Sequence, residues 1–347
     1  MINPSQISVV MQGPVVGGST VAEDQRLTRR CLHSVRQHLP GAQLVLATWK
    51  GSDVQGLDYD VLVECADPGS IKTFSPKATN MNRQIFSTQQ GLLAVDRPYV
   101  LKLRTDSELT SAAFLEAFDR FPAVTESARI FQKRLVTWNL LTKFPLAGKS
   151  NLHHPSDMIF FGLREDVGLL WNIPLYARSD SELEEDRAFM EQGRAGHTPI
   201  SYLTAEQYIW LSCIQKKQAV FLPTQPHPSD CRKSSELLVN NFTVLEPEQF
   251  GALWKGGQRL TYSTWYQICS HAEWQQFYRQ FCDRKFKAAI PWELVPKRII
   301  YFLLTRATIF PKAYRWFYYK LEPEGYGREP QPIGKLIWKK IRAVVGR

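Results

Sequence analysis

Apolar positions follow two periods along the first hundred residues. Ile7 to Gln12 is a short, mostly apolar run that reads as a strand buried inside a sheet, and Leu44 to Thr48, Asp60 to Glu64 and Tyr99 to Leu103 predict three more. Between them the period changes. Val21, Leu27, Cys31, Leu32 and Val35 recur at three and four, which predicts one helix over Thr20 to His38, closed by Pro40-Gly41; a second is predicted over Asn82 to Ala94. This alternation predicts an α/β chain whose mostly parallel sheet is covered by helices. Past Asp106 the pattern predicts helices over Ala112 to Phe121, Glu182 to Gln192 and Ala205 to Lys216, a strand over Ile130 to Val136, and an apolar run, M-I-F-F, behind Asp157.

Composition and charge divide the chain. With 347 residues, 44% of them hydrophobic, a sizeable core is expected. From Arg284 to Arg347 there are 15 Lys and Arg against 4 Asp and Glu, or +11, so the remainder of a chain carrying +10 sums to about −1. We therefore expect a domain over residues 1–255 and a helical, basic region over 256–347, opened by an aromatic helix around Trp265 to Arg284. Twelve aromatics between Phe286 and Trp338 interleave with the cations, and I-G-K-L-I-W-K-K-I-R-A-V-V is amphipathic, a composition that suits an anionic membrane surface. Packing on the preceding domain or binding single-stranded nucleic acid are the competing readings, but no recognised nucleic-acid module is present, so no such partner is expected. The run Ile299 to Phe310 is interrupted by Arg306 and falls short of the roughly 20 residues that span a bilayer. No signal peptide is expected at the start of the chain. Six cysteines without a C-x-x-C pair fit a reducing compartment.

Candidate chemistry collects where the predicted strands end. Open α/β sheets bind ligands beyond the carboxyl ends of their strands. Gln12-Gly13-Pro14 and Trp49-Lys50-Gly51-Ser52-Asp53 fall at two such ends, where an Asp or Gln can hydrogen-bond a base or ribose; as turn residues they also have a plain structural reading. Arg104-Thr105-Asp106 ends the fourth strand. Asp106 could hold Mg²⁺ or Mn²⁺ against a diphosphate, or cap a helix starting near Thr110. Arg104 could contact a diphosphate oxygen directly, or leave Asp106 as a lone ligand. Two acids compete for the role of base. Asp157 precedes an apolar strand, where burial would raise its pKa, and Glu206 opens a helix, where it could equally serve the helix dipole. Lys143, Lys149, Arg232 and Lys233 could neutralise phosphates or belong to an ordinary soluble surface, and a loop histidine such as His153 or His154 is ordinarily solvated.

The run N-M-N-R-Q-I-F-S-T-Q-Q-G-L leading into Y-V-L-K-L-R-T-D resembles the WavE family of lipopolysaccharide synthesis proteins. So do V-V-M-Q-G-P-V, T-W-K-G-S-D, P-S-D-M-I-F-F-G, A-E-Q-Y-I-W and N-N-F, over roughly residues 7–250. The resemblance implies a GT-A-like, Rossmann-related fold, a nucleoside diphosphate sugar donor and a lipid-linked lipopolysaccharide or related glycan acceptor. By position it places Asn82 and Arg83 near the diphosphate and makes Asp106 the last carboxylate of an Asp-x-Asp motif whose first position is here Arg104; Thr105, between them at the strand's carboxyl end, is expected beside the donor from its place in the sheet. It places an acid beneath the acceptor at Glu206 and a late loop histidine, His227, in the metal shell. The expected protein is a glycosyltransferase in the cytoplasm, peripheral on the inner membrane of a Gram-negative bacterium, with Mn²⁺ or Mg²⁺ as cofactor. Metal-independent or retaining transfer, and a non-catalytic scaffold for sugar nucleotides or glycans, are the alternatives.

Overall fold

Strands β1 (Ile7–Gln12), β2 (Gln43–Trp49), β3 (Val61–Cys65) and β4 (Tyr99–Arg104) run parallel, in the order β3-β2-β1-β4. The computed structural model describes residues 2–22, 26–71, 79–145, 151–191, 203–220, 222–223, 227–255, 267–288, 292, 294–296 and 299. Among these residues the sheet continues through β7 (Phe160–Leu163), β6 (Leu135–Trp138) and β8 (Phe242–Leu245). β7 pairs antiparallel with both β4 and β6, and β6 pairs parallel with β8. One strand is thus reversed in a mostly parallel sheet, the expected α/β architecture. A small antiparallel ladder joins β5 (Ser107–Leu109) to β9 (Ala252–Trp254) beside the end of β4.

Successive strand residues face opposite layers. Val10, Val45 and Val100 enter the layer built with α2 (Met81–Leu93), α4 (Arg164–Trp171), α6 (Ala205–Ile214), α7 (Pro228–Asn241) and α9 (His271–Phe281). Val9, Met11, Leu44, Leu46, Leu101 and Leu103 face the other, with α1 (Leu27–His38), α3 (Phe114–Ala117) and α8 (Pro247–Phe250). Helix α5 spans Asp180–Glu191. Lys102 follows the parity of Val100 and is fully buried in the first layer, an unusual place for an ammonium.

Several predicted elements are shorter than their apolar pattern. The first helix starts at Leu27; ahead of it Asp53 takes the Ser19 N–H and hydroxyl at 2.5 Å each and Arg26 donates to the Ser19 and Val21 carbonyls, holding Ser19 to Val21 as a loop. Of Ile130 to Val136, only the end is strand. Asn241 accepts from the Ile130 and Phe131 N–H groups and Asp166 from those of Gln132 and Lys133, so side chains replace the ladder. Within Ala112 to Phe121 only α3 is α-helical, and Asp106 precedes β5 rather than capping a helix. The aromatic helix narrows to α9, capped by Ser270, whose Trp274 donates to the Phe242 carbonyl at 2.7 Å and packs on Phe121. The basic amphipathic tail beyond residue 299 lies outside the described residues, as does Lys149. No helix among the described residues is long and apolar enough to cross a membrane.

Gly91 marks the closest approach of α2 to the sheet: a Cβ there would lie 2.5 Å from Val10 Cγ1. Gly91→Ala should therefore destabilise the fold by about 1–3 kcal/mol through overpacking, despite a helix-propensity gain of about 1 kcal/mol. Urea unfolding measures the balance, and an unchanged or raised midpoint would contradict this packing.

Candidate active site

The reversal of β7 assembles the site. Because β7 runs against its neighbours, the residues before it emerge at the edge where β1, β2 and β4 end. Asp157 thus meets Arg104 instead of lying at the far side of the sheet. Five contacts fix this segment. Ser156 N–H donates to Thr142 Oγ1 at 2.9 Å, Trp138 Nε1 donates to Ser156 Oγ at 3.1 Å, and Thr137 Oγ1 donates to the Ile159 carbonyl at 2.7 Å. Gln84 Nε2 and Lys102 Nζ donate to the Asp157 carbonyl at 2.8 and 2.6 Å.

Lys102 also reaches the Met158 carbonyl at 3.2 Å and lies 4.5 Å from the centre of the Trp171 ring. Burial pulls its pKa down, and the charge of Asp157 opposes that shift. Asp157 shifts the other way: burial and then the charge of Glu206 raise its carboxyl, while the charges of Lys102 and Arg104 restrain the rise. Among the described residues no donor hydrogen-bonds the Asp157 carboxylate. Glu206 is also raised by burial, against the pull of Thr204 and Lys143. His154 Nε2 sits 3.1 Å from Thr204 Oγ1 and 3.7 Å from Glu206; burial holds its pKa near 3, so the ring is neutral. The two acids that compete in the sequence are neighbours in one buried cluster. Thr204 and Gln207 make the capping box of α6, leaving the Glu206 carboxylate available to that cluster.

Asp106 is nearly buried beside this cluster. Arg104 Nε and Nη2 donate to Asp106 Oδ1 and Oδ2 at 2.8 and 3.0 Å, and Trp254 Nε1 donates to Oδ2 at 3.2 Å. Burial alone would lower the Arg104 pKa, but Asp106, with Asp157, raises it above the ordinary arginine value. Both oxygens expected to face a cation are therefore already paired. Among the described residues no group of three or more His, Cys, Asp and Glu side chains could hold a metal ion. His227 stands exposed at the N-cap of α7, its N–H bonded to Asp230 at 2.8 Å.

The remaining expected residues form the rim or its supports. Gln12 pairs with Arg104 across β1 and β4, and its Oε1 accepts from Ser87. Gly13 has φ 129°, and a Cβ there would meet Thr105 Oγ1 at 2.9 Å, so glycine lets the strand ends close together. Thr105 Oγ1 donates to the Pro14 carbonyl at 2.7 Å. Trp49 ends β2, and its carbonyl accepts from Ser52 N–H; Gly51 takes φ 80° in that turn. Asp53, with its pKa lowered by the Ser19 hydroxyl and N–H, organises the loop after β1. Asn82 bonds both backbone groups of Tyr176, and Arg83 pairs with Asp67 at 2.6 Å. Lys102, Gln84, Trp171 and Trp254 complete the site without having been marked in the sequence. Only Lys102 left a signal there, as a cation within an apolar strand.

An open, mostly parallel sheet with its charged side chains gathered at the carboxyl edge defines an α/β protein of the Rossmann-related class. The chain belongs to the WavE lipopolysaccharide synthesis family, whose family model matches residues 7–303. No curated protein matches it. Among solved structures it is similar to a 4-diphosphocytidyl-2C-methyl-D-erythritolsynthase from Anaerococcus prevotii DSM 20548, at 14% identity over 61% of this chain and 98% of that one, with a TM-score of 0.31. It is similar also to a cytidylyltransferase from Leptospira borgpetersenii serovar Hardjo-bovis, at 10% identity over 62% and 99% of the two chains, TM-score 0.30. A third is the inositol-1-phosphate CTP transferase of T. maritima, at 12% identity over 62% and 97%, TM-score 0.29.

A raised carboxyl pKa means that ionised Asp157 destabilises the folded state at neutral pH, and that this cost fades as pH falls through the folded pKa toward the unfolded value. Asp157→Asn should raise stability by about 1–3 kcal/mol at pH 8 and lose that advantage near pH 4. Denaturant unfolding at both pH values checks the sign; destabilisation at pH 8 would show that the carboxylate is favourably solvated.

Proposed function

We propose that this protein is a glycosyltransferase that moves a sugar from a nucleoside diphosphate donor to a lipopolysaccharide or related lipid-linked glycan. The observation that carries the reading is the Asp157 carboxylate: buried, without a hydrogen-bond donor among the described residues, and set beside Glu206 and a guanidinium at the carboxyl edge of the sheet. A base needs a proton affinity near its working pH, and this environment raises that of an aspartate. Asp157 takes the proton of the acceptor hydroxyl as its oxygen bonds to the anomeric carbon. The bond from that carbon to the diphosphate breaks, and its electron pair leaves on the diphosphate oxygen. Glu206 holds the proton affinity of Asp157 high and contacts the acceptor.

The rim made by Gln12, Gly13, Pro14 and residues 49–53 receives the nucleoside, and Arg104 with Asp106 faces the diphosphate. The family's assignment to lipopolysaccharide synthesis supports a glycan acceptor. A basic C-terminal region of +11 would keep the enzyme beside an anionic membrane where such an acceptor is anchored.

The test is release of nucleoside diphosphate from a panel of nucleotide sugars in the presence of lipopolysaccharide-derived acceptors. One donor should turn over, and Asp157→Asn should slow it by about 10²–10⁴-fold. Turnover retained in that variant would remove Asp157 from the role of base.

A further inference from the structure

We infer that Arg104 replaces the divalent cation, so that donor binding and transfer proceed without a metal; this rests on the glycosyltransferase reading above. A guanidinium has two edges that can each make a pair of parallel hydrogen bonds, Nε with Nη2 and Nη1 with Nη2. Asp106 occupies the first. Nη1 has no hydrogen-bond partner among the described residues, and the Arg104 side chain keeps 32% of its surface exposed although Asp106 keeps 6%. The carboxylate therefore acts as the orienting group, and the second edge of the fork faces outward, shaped to grip two oxygens of a diphosphate.

The charge sum agrees. Two carboxylates of an Asp-x-Asp motif plus a divalent cation sum to zero, and so do one guanidinium and one carboxylate. Arg104 thus reaches the same local charge with no ion. The donor set does not fit a resident cation: Oδ1 and Oδ2 of Asp106 are both paired, Trp254 adds a further donor to Oδ2, and a cation placed there would lie against the guanidinium. Trp254 fixes this geometry from β9. The Lys255 N–H donates to the Asp106 carbonyl at 2.8 Å, which anchors β9 to the same turn. Asp106 and Trp254 are positioning residues, and Arg104 is the group that would touch the leaving diphosphate.

The test measures thermal midpoints of the full chain with UDP, GDP, CDP and ADP, each in EDTA and in Mn²⁺. One nucleotide should raise the midpoint equally in both media, because a ligand that binds only the folded protein stabilises it by mass action. Arg104→Ala should abolish that rise in both, and Arg104→Lys should retain a part, since an ammonium keeps the charge without the fork. Asp106→Asn should weaken binding at least tenfold with the nucleotide still metal-independent. A rise that appears only with Mn²⁺ would overturn the inference while leaving the glycosyltransferase reading intact. A rise retained in Arg104→Ala would overturn it too. No rise with any nucleotide in either medium would remove both.

Discussion

The site depends on one buried ammonium. Lys102 Nζ is bound by the carbonyls of Asp157 and Met158 and is covered by Trp171, in a layer otherwise built mainly of aliphatic and aromatic side chains. Burying a cation costs several kcal/mol unless hydrogen bonds and opposite charge offset it, and here the offset comes from the backbone just ahead of the reversed strand. That requirement ties β4 to the segment before β7 and fixes the Asp157 carboxylate beside Arg104. The fold and the chemistry therefore share one constraint. Without the lysine, the carbonyls of Asp157 and Met158 would lose a donor and the aspartate would lose its largest opposing charge.

Two electrostatic zones follow. Arg104 and Asp106 neutralise each other, and the guanidinium keeps one edge for a ligand. Asp157, Glu206 and the neutral His154 form the second zone, where burial keeps both acids hungry for protons and the charge of Glu206 adds to the effect at Asp157. A leaving group that gains negative charge suits the first, and a hydroxyl that must lose a proton suits the second. The zones meet along β4, because Lys102 and Arg104 occupy alternate positions and so share one face.

The parallel half of the sheet was legible in the sequence because each strand is a short apolar run ending at polar residues, and Arg104 and Asp106 stand out at such an end. The partnership of Asp157 with Glu206 was not. Those residues are 49 positions apart, and only the reversed direction of β7 brings them together, which no local period reveals. The β5–β9 ladder was hidden for a related reason: three-residue strands carry almost no periodicity, so Trp254 could not be seen reaching Asp106. The true starts of α1 and β6 are set by side chains that capture backbone N–H groups, Asp53, Asn241 and Asp166, which act across long sequence separations.

In the proposed reaction Asp157, made basic by burial and by Glu206, takes the acceptor proton. The pH dependence of kcat/KM in the wild type and in Glu206→Gln tests it most directly. The wild-type rate should rise with pH through an apparent pKa above the ordinary aspartate range, since only the ionised carboxylate can act. Removing the like charge of Glu206 should move that limb to lower pH, because one cause of the raised proton affinity is gone. A limb that stays in place or moves upward in the variant would contradict the account.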